Sequence, residues 1–127
     1  MGRYAFFNTN FEYKFRFGVQ ESSDIMSFGG EQTYESLNNG YLDHKWEEQD
    51  KYRILKELQS FSGFLTDTLP DFESYEKNRD GTYNLSRDLY KLYDEIQAEE
   101  YIARFILGCC IYHQLLYKTD LEVQYEG

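Results

Sequence analysis

Cysteine, proline and basic residues are all scarce in this chain. It holds two cysteines, one proline, and thirteen Lys or Arg against twenty-three Asp or Glu. Each scarcity closes off a class of protein. The two cysteines, Cys109 and Cys110, are adjacent, so there is no framework of spaced cysteines such as small secreted domains use. A reducing, intracellular, cytoplasmic setting is expected. Met1–Val19 is strand-like and charged, unlike a secretory leader. A net charge of −10 disfavours non-specific binding to nucleic acid or to an anionic membrane. The longest apolar run, Tyr101–Tyr117, is interrupted by Arg104, Gly108, His113 and Gln114. It falls short of the roughly 20 apolar residues that a membrane span needs. Neither G-x-G-x-x-G nor G-K-[ST] occurs, so no phosphate-cradling loop is expected.

Aromatic rings are what the chain has in excess. Thirteen Tyr and ten Phe are more than the core of a single domain over residues 1–127 demands. Many tyrosines must therefore sit half-buried, ring inside and hydroxyl out, and some are candidates for a contact surface. This Tyr- and Phe-rich, Pro-poor composition fits an AT-rich genome, such as those of many large DNA viruses.

The pattern predicts an α+β fold in which a small antiparallel sheet packs against three or four helices. Tyr101–Tyr117 is its centre. Ile102, Phe105, Ile106, Cys109, His113 and Leu116 share one helical face, and Ala103, Leu107, Cys110 and Ile111 continue the apolar surface. A helix apolar nearly all round is buried, so residues 99–117 are expected to be the central buried helix. Gly108 within it costs about 1 kcal/mol against Ala and implies a close neighbour or a bend.

Phe11–Phe17 alternates Phe, Tyr, Phe, Phe with Glu12, Lys14 and Arg16, the period of a half-buried strand. With Arg3–Phe7 before it and Asn8-Thr9-Asn10 between, residues 3–19 read as a hairpin. Residues 120–126 read as a third strand, with Glu122 and Glu126 facing Lys14 and Arg16. Ser22–Phe28 reads as one helical turn stopped by Gly29-Gly30, and residues 31–40 as loop. A helix is expected from Asp43 to about Phe61, with Ile54, Leu55 and Leu58 inward. Arg79-Asp80-Gly81 reads as a turn. Ser86 is expected to cap a helix with Leu89, Leu92, Tyr93 and Ile96 as its stripe.

No set of residues converges on a reaction in the sequence, and the expected function is a small acidic, non-enzymatic interaction or structural protein without a cofactor. Residues 21–50 hold eight carboxylates against the single base Lys45, which suits a basic protein partner or self-association. Tyr34, Tyr41 and Tyr52, beside Glu31, Glu35 and Glu47, are the expected contact residues. Two alternatives have definite residues. His44, Cys109, Cys110 and His113 are the inventory of a tetrahedral zinc site or a thiol–imidazole pair. Adjacent cysteines on one helix diverge, however, and reactive thiolates need polar surroundings. Lys14-Phe15-Arg16-Phe17 carries the basic-aromatic alternation with which single-stranded nucleic acid is bound. The same alternation also builds the core face of a sheet, and the net charge opposes the nucleic-acid reading. The acidic start Asp43–Asp50 is most simply a favourable helix N-terminus.

Overall fold

The computed structural model describes residues 3–15, 22–35, 41–61, 75–95 and 99–126. They form seven strands: β1 (Arg3–Phe7), β2 (Glu12–Phe15), β3 (Glu31–Glu35), β4 (Tyr41–Glu47), β5 (Tyr75–Lys77), β6 (Tyr83–Leu85) and β7 (Asp120–Glu126). The helices are α1 (Asp50–Leu58), α2 (Arg87–Asp94) and α3 (Glu99–Leu115), with a 3₁₀ helix over Ser22–Phe28. The class is α+β, as the pattern predicts. The sheet is much larger than a hairpin plus one strand: all seven strands join it in the order β3-β4-β7-β1-β2-β6-β5. Every pairing is antiparallel except the short parallel contact of β2 with β6, at Tyr13 and Tyr83.

The first hairpin forms where the alternation places it. Asn10 takes the left-handed conformation, φ 65°, which asparagine tolerates better than most residues. Asn8 ties this turn to β7, donating to the Asp120 carbonyl and accepting from the Glu122 amide, each at 3.1 Å. Residues 16–19 of the expected hairpin lie outside the described residues.

Alternation then sorts the sheet into two faces. Ala5, Phe7, Tyr13, Phe15, His44, Trp46, Leu121, Val123 and Tyr125 are all buried, while Glu12, Lys14, Asp43, Lys45, Glu122 and Gln124 lie between them with partial or full exposure. α3 lies on the buried side, packed against α1, the 3₁₀ helix, α2 and β7. Its residues Ile102, Phe105, Ile106, Leu107, Cys110 and Ile111 are buried to within 1%, so it is the core helix its composition requires. Leu116 and Tyr117, beyond its end, are exposed.

Gly108 is explained by a close approach. A Cβ there would overlap the ring of Phe28 and come 2.8 Å from Leu58 Cδ2. Glycine is therefore the residue that lets α3 sit against the 3₁₀ helix and α1. Gly30, at φ +82°, makes a similar opening for the indole of Trp46, whose Nε1–H donates to the Phe28 carbonyl at 3.2 Å.

Several expectations are corrected. Residues 31–35 form a strand rather than loop. Tyr41–Glu47 is also a strand, so the helix begins at Asp50 and not at Asp43. The period-two arrangement of His44 and Trp46 inward, Asp43 and Lys45 outward was readable, but the acids around it resemble a helix start. Pairing with β7 along all seven residues decides in favour of the strand. The Asp50 carboxylate accepts from the Glu47 amide at 2.8 Å and turns the chain into α1. Glu122 stands opposite Lys45 on β4, not Lys14, because β1 separates β7 from β2. Leu92 is 41% exposed while Tyr93 is fully buried, so Leu92 does not belong to the inward stripe of α2; the Leu89 side chain and Ile96 lie outside the described residues. Arg79-Asp80-Gly81 is a turn as expected, within a β5–β6 hairpin that the sequence did not reveal. Asp80 accepts from the Thr82 amide at 3.0 Å and its hydroxyl at 2.6 Å. These bonds hold the Asp80 carboxyl below its ordinary range.

Candidate functional site

The thiols and imidazoles are buried. Cys109 and Cys110 are fully buried in α3, and burial pushes both thiols far above their ordinary pKa. Nucleophilic cysteines need the opposite environment. Cys110 Sγ lies 3.7 Å from the Tyr75 hydroxyl, which in turn lies 3.0 Å from His113 Nδ1. This polar chain fastens the short strand β5 to the far end of α3. His44 is 3% exposed and stacks on Trp46 at 5.8 Å between ring centroids. Its burial holds its pKa below the ordinary value, against the opposing pull of Asp43. Among the described residues, no group of three or more His, Cys, Asp and Glu could hold a metal ion. His44, Cys109, Cys110 and His113 therefore do not assemble into one.

The basic-aromatic strand resolves the other way round from a base-stacking platform. Tyr13 and Phe15 are 2% and 3% exposed and face the core, leaving Glu12 and Lys14 on the other face. Phe11 is half-buried and stacked on Tyr83 at 4.8 Å. Arg16 and Phe17 lie outside the described residues.

The expected contact residues are distributed over three neighbouring elements. Glu31, Tyr34 and Glu35 are all on β3, the last strand on one side of the sheet. Tyr41 and Glu47 are the two ends of β4, its partner. The side chains of Glu31, Tyr34, Glu35 and Tyr41 lie outside the described set. Glu47 is exposed, and Tyr52, on α1, is 70% exposed with Lys51 Nζ 5.4 Å from its ring centroid. The β3–β4 ladder shifts register between Gln32 and Tyr34, a bulge that bends and twists the strand.

A feature the sequence did not announce lies at the other side of the sheet. A cavity of about 600 Å³ opens between β2, β6, α2 and α3, within the usual size range of small-molecule sites, about 300–1,000 Å³. Phe15, Leu85, Ala103 and Ile106 supply its apolar wall, and all four are buried. Among the described residues, Lys14, Arg87 and Lys91 line it with positive charge, against the single carboxylate of Glu76. Asn84 is held rigidly at its edge. It accepts from Asn78 Nδ2 at 2.5 Å and donates to the Lys14 carbonyl. Tyr13 is fixed from below, its hydroxyl accepting from the Leu85 amide at 3.0 Å. Arg87 and Lys91 are far apart in sequence from Lys14, and the pairing of β2 with β6, which leads into α2, brings these cations together.

No helix among the described residues is long and apolar enough to cross a membrane. Comparison with protein-family models, with curated proteins and with solved structures finds no match.

Proposed function

We propose that this protein acts by binding a protein partner, and that an extended, basic segment of that partner adds to the outer edge of β3. The observation that carries this reading is the position of β3: it ends the sheet, and no other described strand pairs with its outer side. A strand edge offers unpaired N–H and C=O groups to an incoming chain. The sequence of β3, Glu-Gln-Thr-Tyr-Glu, contains two acids and no base, and it lies in the acid-rich segment 21–50. Three of the six expected contact residues are on this strand. A second copy of the same chain fits the edge less well. Two β3 strands would bring glutamates towards glutamates, which is unfavourable across a ladder, and each copy carries a charge of −10. The bulge also limits flat edge-to-edge continuation. A short basic strand of another protein avoids the charge repulsion and need pair with β3 on one side of the bulge alone.

A strand-forming peptide of alternating Lys and Val, labelled for fluorescence anisotropy, tests the reading at low salt. Binding is expected, and methylating alternate backbone nitrogens of the peptide should abolish it, because those methyl groups remove ladder donors without changing charge. Charge reversal at Glu31→Lys with Glu35→Lys should weaken binding about tenfold or more. Equal binding of the methylated and unmethylated peptides would reduce the effect to diffuse electrostatics and refute strand addition. Absence of binding at low salt would refute it as well.

A further inference from the structure

Independently of the strand edge, we infer that the cavity between β2, β6, α2 and α3 is a binding site for a small organic oxyanion with an apolar body. Two observations point to an anion. The described wall carries three cations against one carboxylate, in a chain with ten more acids than bases. Such a local reversal of sign is not what the composition supplies by default. Next, Arg87 is the first residue of α2, where the helix dipole disfavours a cation. Lys91 follows one turn later, in the last turn of the same helix. Neither is ion-paired with a described residue; the pairs present are Lys14–Asp80, Lys51–Glu48, Arg53–Asp50 and Arg104–Asp24. Arg87 thus stands where the helix dipole opposes it, and a bound anion would offset that cost while pairing both cations.

The apolar half of the ligand follows from the floor. Phe15, Leu85, Ala103 and Ile106 present a ring, two branched aliphatics and a methyl group, with no buried charge among them. A fully polar anion such as a free phosphate would leave this floor wetted, and a neutral apolar molecule would leave Arg87 and Lys91 unused. An aryl or acyl chain ending in a carboxylate or phosphate uses both halves. Arg87 is suited to the head group because its planar guanidinium meets either oxyanion with two parallel hydrogen bonds.

The test uses a matched pair of fluorescent probes on the full chain: 8-anilinonaphthalene-1-sulfonate, and N-phenyl-1-naphthylamine, which has the same rings without the sulfonate. The charged probe is expected to bind saturably at one site and more tightly than the neutral one. Replacing both exposed cations, Arg87→Gln with Lys91→Gln, should weaken the charged probe about tenfold or more, as expected for loss of charge-assisted hydrogen bonds. The same change should leave the neutral probe unaffected. Ala103→Leu fills the floor and should weaken both probes; should that variant fail to fold, the surface pair alone decides the question. Displacement of the bound sulfonate by octyl phosphate or by octanoate then separates a phosphate head from a carboxylate. The inference is overturned if the double variant binds the charged probe as tightly as the parent, if the two probes bind equally, or if neither octyl anion displaces the sulfonate.

Discussion

Replacing Gly108 by alanine sets two opposing effects against each other in the core. The helical gain is about 1 kcal/mol, because glycine in a helix interior is that much worse than alanine. The opposing effect is steric. The new methyl would overlap two carbons of the Phe28 ring and lie 2.8 Å from Leu58 Cδ2, where apolar carbons prefer about 3.5–4.0 Å. Phe28 is 1% exposed and Leu58 0%, so neither can swing into solvent. Overpacking of this kind costs about 1–3 kcal/mol, and two rigid neighbours at once place this site at the upper end. The expected outcome is a net loss of about 1–2 kcal/mol, or roughly 3–8 °C in Tm for a chain of this length. Urea denaturation read by Trp46 fluorescence measures it cleanly, since that indole is the sole tryptophan and is fully buried. A double-mutant cycle with Phe28→Leu isolates the contact: the cost of Gly108→Ala should fall by about 1 kcal/mol or more once the ring is trimmed. A variant as stable as the parent, or more so, would show that α3 does not approach the 3₁₀ helix as closely as described.

The imidazole of His44 is buried, its Nδ1 has no hydrogen-bond partner among the described residues, and its folded pKa is lowered. The unfolded chain therefore takes up its proton first, at an ordinary value of about 6.5. Stability should fall as pH drops from about 7 through that value and level off below the folded pKa; His44→Phe should flatten that part of the urea-midpoint profile, and an unchanged slope would refute the assignment. Cys109 and Cys110 should resist iodoacetamide in the native state and react only on unfolding; labelling at the rate of a free thiol in native buffer would contradict their burial. Arg104 Nε lies 3.1 Å from Oδ1 of the buried Asp24. Arg104→Ala should cost about 2 kcal/mol by removing a charge-assisted hydrogen bond to a buried carboxylate, well above the effect of Arg53→Ala at the exposed pair with Asp50, and equal costs would show the Asp24 pair to be no more than a surface contact.

The parts of the fold legible in the sequence were those whose signal is local. The α3 run is apolar on every face, the β1–β2 hairpin has strict alternation and an asparagine turn, and Gly29-Gly30 ends the 3₁₀ helix. β4 was misread because Asp43, Glu47, Glu48 and Asp50 resemble an acidic helix start, and only its long-range ladder with β7 overrides that pattern. β5 and β6 are three residues each, too short for alternation to register. The cavity cations were invisible for a related reason. Lys14 is separated from Arg87 and Lys91 by about seventy positions in the sequence, and nothing local says that β2 and β6 lie side by side. The contact residues on β3 were chosen from composition, and their gathering on one strand owed nothing to a recognised strand pattern.

The place of β7 has a consequence for how the chain comes together during synthesis. Of the seven strands it is the last to leave the ribosome, yet it is inserted between β4 and β1. Until it emerges, the β3–β4 hairpin and the β1–β2 hairpin have no strand to join them, and each keeps an edge open towards a slot the width of one strand. The nascent chain must therefore hold two half-sheets apart until that point. Closure by a strand drawn from more than one hundred residues downstream of β1 is a late, non-local step of the kind that slows folding. The interval before it is when these two inner edges are exposed to strands from neighbouring chains.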